Sequence, residues 1–131
     1  MDTRNLKIKL PNFLRWFLVQ NLQHFTPWHF IENEQEFENI STVFKSEDIK
    51  NRDLFVFARR QDCDDFAGLE IINGVITDKI ICFHPSFGTN TSGWNIVDKE
   101  YDDIFDFVAL TVIPDMKEWA ITGDADDLSS D

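Results

Sequence analysis

Phe66-Ala67-Gly68-Leu69-Glu70-Ile71-Ile72-Asn73-Gly74-Val75-Ile76-Thr77-Asp78-Lys79-Ile80-Ile81-Cys82-Phe83 is the stretch that decides the fold. Asn73-Gly74 supplies the two residues that best tolerate positive φ, which the central pair of a type I′ turn requires. The flanking runs are rich in Ile, Val and Phe and predict two antiparallel strands, 66–72 and 75–83. Just upstream, Leu54-Phe55-Val56-Phe57-Ala58 is apolar at every position and predicts a central strand covered on both faces.

Helical spacing appears on either side of this meander. Leu10, Phe13, Leu14, Phe17, Leu18, Leu22 and Phe25 recur at three and four, so a helix is expected from Pro11 to about His24. Pro11 suits a first turn, where its missing N–H costs nothing, and Thr26-Pro27 stops the helix. A weaker helix is expected over Glu34–Phe44, with Phe37, Ile40, Val43 and Phe44 inward. Beyond a Ser/Thr/Gly/Asn loop at 84–93, Trp94–Val97 reads as a short strand. From about Tyr101 a helix is expected with Ile104, Phe105, Val108 and Val112 on one side. Pro114 either ends or kinks it, or opens a further short helix containing Met116 and Trp119. The expected class is α+β, a mainly antiparallel central sheet wrapped by helices in one domain over residues 1–121. Residues 122–131, small, polar and acidic, read as a disordered tail.

A chain of 131 residues is the size of one domain and buries about two-thirds of its unfolded surface. Thirteen Phe and four Trp within 43% apolar content exclude a disordered chain. No apolar run approaches membrane-spanning length, and the N-terminal residues lack a secretory pattern. Two cysteines are too few for a disulfide framework, so a reducing, cytoplasmic location is expected. The net charge of −12 is unevenly spread: residues 1–60 carry +1 and residues 61–131 carry −13. Such a surface repels phosphate, which argues against nucleic acid and anionic membrane as partners. It attracts a basic protein, although the same charge also serves solubility.

Catalytic and metal motifs fail on spacing. Counted from Asp62, an EF-hand would place Gly sixth and Glu twelfth, where the chain has Ala67 and Asn73. Asp62, Asp64 and Asp65 therefore read first as a solvated turn with Arg59 and Arg60 as ion-pair partners. Cys63, Cys82 and His84 give a single Cys-x-His pair, and His24 and His29 lie five apart, so no zinc motif forms. Ser86 lacks the nucleophile-elbow glycine two positions before it. Cys82, within an apolar strand, reads as inert packing. No phosphate-binding glycine loop is present. No catalytic group, metal or cofactor is expected. Trp28 and Trp94 sit at loop edges, as core caps or as anchors for a partner.

The segment Leu54-Phe55-Val56-Phe57-Ala58-Arg59-Arg60-Gln61-Asp62-Cys63-Asp64-Asp65-Phe66-Ala67 resembles the central strand–turn–strand of bacterial SUKH-superfamily proteins, the SMI/KNR type. Pro27-Trp28-His29-Phe30-Ile31, Gly93-Trp94 and Asp115-Met116-Lys117-Glu118-Trp119 are similar to the family's flanking segments, so the likeness spans roughly residues 10–120. Cys63 departs from the Asn or Gly usual at its position. The resemblance implies a SUKH fold and a non-catalytic role. Bacterial members act as immunity proteins that neutralise a cognate toxin, often a nuclease, while fungal relatives are regulatory interaction proteins. A nuclease cleft is basic, so the expected binding face gathers Asp62, Asp64, Asp65, Asp102, Asp103 and Asp106, with Trp94 as an aromatic anchor. A regulatory adaptor for an endogenous protein is the alternative, and a small metal-dependent hydrolase is the remote one.

Overall fold

Asn73 and Gly74 adopt φ of 53° and 78°, the left-handed pair that closes the central hairpin. The computed structural model describes residues 9–88 and 95–128. The hairpin joins two strands of a six-stranded antiparallel meander whose spatial order follows the chain. In sequence these are β1 (His24–Phe25), β2 (Trp28–Phe30), β3 (Asp53–Arg60), β4 (Phe66–Ile72), β5 (Val75–Phe83) and β6 (Val97–Tyr101). The α+β class and the antiparallel sheet are as the sequence predicts.

Strand β3 is internal to the sheet and covered, and a bulge interrupts its pairing with β4. Its register with β4 shifts between Val56 and Ala58, so Phe57 is the extra residue and turns with Ala58 to one face. Leu54, Val56 and Arg59 take the opposite face. Gly68 of β4 lies against Leu54: a Cβ there would meet Leu54 Cγ at 2.5 Å and the Phe55 carbonyl at 3.0 Å.

Helices cover both faces. Helix α2 (Glu38–Glu47) lies on the Val56 side, where Phe44 meets Phe83 at 4.6 Å and Phe37 meets Phe66 at 6.3 Å. On the other face lie α1 (Asn12–Val19) and a helical rod built of α3 (Ile104–Phe107), a π-helical stretch Val108–Val112, and α4 (Ile113–Thr122). Phe107 is its anchor, with ring centroids 5.3 Å from Trp28, 6.0 Å from Phe57 and 6.2 Å from Tyr101.

Several boundaries differ from the sequence reading. Helix α1 ends at Val19, well before His24, because Asn21 adopts φ of 61°. The Asn21 and Leu22 amides then bond the Leu18 and Phe17 carbonyls, a Schellman cap. The freed residues form β1 and β2, which reverse at a cis Thr26–Pro27 bond. Helix α2 starts and ends later than expected. Strand β6 begins at Val97, where a strand had been expected to end. Tyr101 is its last residue, and the following helix waits for the Asp103 carboxylate, which accepts the Asp106 amide. Phe107, not Phe105, joins Ile104 and Val112 inside, while Phe105 is 48% exposed. Pro114 does not end the rod but stands in the first turn of α4, which holds Met116 and Trp119, as one of its two sequence readings expects. Its lost N–H and ring bulk fall just after the wider π-helical turns, and helical backbone continues to Thr122. In the segment expected as a disordered tail, Ala125–Asp127 forms one 3₁₀ turn.

A buried ion pair ties the end of α2 to the approach of β3 and to the edge strand β6. The Asp48 side chain is fully buried and accepts Arg52 Nε at 2.8 Å, Arg52 Nη2 at 3.1 Å and the Arg52 amide at 2.9 Å. Arg52 Nη1 reaches on to Glu100 of β6 at 3.3 Å. Burial pushes the Asp48 carboxyl up, but the hydrogen bonds from Arg52 outweigh it and hold the group below the usual carboxylate range.

Candidate functional site

The alternation of β3 sends its two last residues to opposite faces, and each organises a different site. Arg60 faces the rod. Its Nε bonds Asp62 Oδ1 at 2.7 Å and its Nη1 bonds Asp115 Oδ2 at 3.0 Å. The same Asp115 oxygen accepts the Trp28 indole N–H at 2.9 Å. Trp28 is thus a core cap, the plainer of its two sequence readings. Partial burial raises the Asp62 carboxyl slightly, and the Arg60 hydrogen bond overrides it and lowers the group.

Asp65 is also engaged. Its Oδ1 pairs with His84 Nδ1 at 2.9 Å and its Oδ2 accepts the Cys63 thiol at 3.3 Å. Cys, Asp and His are therefore neighbours, but the thiol is not activated. Burial, then the Asp65 acceptor and nearby carboxylate charge, pushes Cys63 up to about 11, and burial pushes Cys82 up to about 12. Both cysteines are free and both are thiols at neutral pH.

Arg59 faces the α2 side. With His29, Gln61, Asp64, Phe66 and Phe87 it lines an open cleft of about 470 Å³. His29 and Gln61 of this cleft belong to a side-chain chain that spacing alone did not reveal: His24 Nδ1 lies 2.9 Å from His29 Nδ1, and His29 Nε2 bonds Gln61 Oε1. Cross-strand pairing of His24 with His29 brings together residues five apart.

The six aspartates of the expected binding face fall into two groups. Asp62, Asp64 and Asp65 precede Phe66, whose row across the sheet continues through Phe83 to Val97, the start of β6. Asp102, Asp103 and Asp106 follow Tyr101, the end of β6, paired with Ile80. A five-residue strand separates the trios by roughly 15 Å. The two trios thus lie near opposite ends of β6, a separation that one interface can span. Trp94, the expected anchor, lies outside the described residues.

The aromatic partner of the second trio is Phe105. Its ring meets Phe13 of α1 at 5.1 Å and Phe17 at 5.2 Å. Phe13 is more than a third exposed, and Trp16, one turn further along α1, is 58% exposed. Phe105, Phe13 and Trp16 make an exposed apolar ridge next to three aspartates. The sequence reading placed Phe105 and Phe13 in the core and so missed the ridge.

Among the described residues no helix is long and apolar enough to cross a membrane, and no group of three or more His, Cys, Asp or Glu is placed to share a metal ion. Comparison with family models, curated proteins and solved structures found no match to this chain.

Proposed function

We propose that this chain is a non-catalytic protein-binding domain, an immunity protein of SUKH type that neutralises a basic toxin domain such as a nuclease. The observation that carries the reading is the contact of Phe13 with Phe105 beside Asp102, Asp103 and Asp106. Exposed aromatic rings provide the desolvated anchor of an interface, and flanking carboxylates steer a basic partner toward it. Asp62 and Asp65 support a different role, because their carboxylates are held by Arg60 and His84. The SUKH resemblance of residues 54–67 supplies the toxin as the partner class, and a cytoplasmic location fits two free thiols.

Affinity capture with the tagged chain from its native host tests the reading. A basic, toxin-like protein recovered stoichiometrically, shed by salt and no longer growth-inhibitory when co-expressed with the chain, is the expected result. Recovery of an endogenous housekeeping protein in its place would replace immunity by the adaptor reading. Turnover with tightly bound metal would favour the hydrolase.

A further inference from the structure

We propose that His24 and His29 form a two-histidine chelate for a late first-row divalent cation, with Cu²⁺ and Ni²⁺ preferred to Zn²⁺. The pair is separate from the Phe13–Phe105 ridge, and the proposal does not rest on the immunity reading. Three observations support it. The hairpin pairs the two residues directly across β1 and β2, so the backbone holds both side chains on one face. Their Nδ1 atoms stand 2.9 Å apart.

The third observation is the partner of the other ring nitrogen. His29 Nε2–H donates to Gln61 Oε1, which fixes the tautomer whose Nδ1 carries the lone pair. Without metal, that lone pair accepts the His24 Nδ1–H. With metal, His24 shifts to its Nε2–H tautomer, and small ring rotations turn both Nδ1 lone pairs to the ion. Imidazole suits copper and nickel, and the affinity order of divalent metals peaks at Cu²⁺. No third His, Cys, Asp or Glu among the described residues joins the pair, so the other positions are left to water or to a donor from another molecule.

The test is a titration of the untagged chain with Cu²⁺ at neutral pH, followed by calorimetry and by paramagnetic broadening of the histidine ring signals. One equivalent is expected to bind and to broaden His24 and His29 before His84. His24→Ala and His29→Ala should each weaken binding by more than about tenfold, since each removes one arm of a chelate. Gln61→Ala should weaken it by roughly tenfold through loss of ring orientation. His84→Ala should leave it unchanged. Wild-type affinity retained in His24→Ala, broadening led by His84, or no stoichiometric binding would overturn the proposal.

Discussion

Trp28 and Asp115, 87 positions apart in sequence, are joined by a 2.9 Å hydrogen bond from the indole N–H to Oδ2. This contact fastens α4 to β2, and Arg60 binds the same oxygen from β3. Trp28 is buried, so removing its acceptor leaves a donor without water. Asp115→Ala should therefore cost about 1–3 kcal/mol in chemical denaturation. Asp115→Asn, which keeps an acceptor but not the charge, should cost less.

Gly68 is expected to tolerate no side chain. A methyl group there would press on Leu54 Cγ and on the backbone carbonyl of Phe55 in the adjacent strand. Gly68→Ala should destabilise by about 1–3 kcal/mol, the range for overpacked cores. Gly68→Ala combined with Leu54→Ala should recover part of that loss, measured as coupling in a double-mutant cycle.

Acid should weaken the α2 attachment. The Asp48 carboxyl is lowered in the folded chain, so its stabilisation is fully present above the unfolded value of about 3.9 and is lost as pH falls through the folded value. Asp48→Asn should be less stable at neutral pH, and its stability should fall less steeply below about pH 4. Arg52→Ala, which leaves Asp48 buried without its cation, should cost roughly 3 kcal/mol at neutral pH.

The thiols shift the alkaline side. Cys63 and Cys82 ionise at about 11 and about 12 when folded, against about 8.5 in an unfolded chain. The unfolded state therefore loses these protons first, and stability should decline as pH rises above about 8.5. A thiol reagent at neutral pH should modify the folded chain far more slowly than the denatured one. Equal rates for the two forms would contradict the burial of Cys82 and the partial burial of Cys63.

Strong local signals made the central fold legible. Asn73-Gly74 closed its hairpin because no other turn chemistry competes there, and the apolar run 54–58 became a covered strand. Strands β1 and β2 are two and three residues long and offer no period to read. They exist because Asn21 ends α1 early, a cap that helical periodicity does not reveal. The ridge was illegible for a related reason. Phe105 sits one position beyond Ile104, and only the placement of α1 beside the rod decides that its ring rests on Phe13. The acidic face was a reading of composition, and composition carries no register. Cross-strand pairing places its two aspartate groups near the ends of β6.

The most direct measurement compares two surfaces for retention of the captured partner. One variant carries Asp102→Asn, Phe105→Ser and Asp106→Asn, and the other carries Asp64→Asn. Both leave the Asp103 cap and the Arg60 pairs intact. The ridge variant is predicted to lose the partner, with slower association and a flatter salt dependence, while Asp64→Asn binds as the unaltered chain does. Full binding by the ridge variant, or loss confined to Asp64→Asn, would contradict the account.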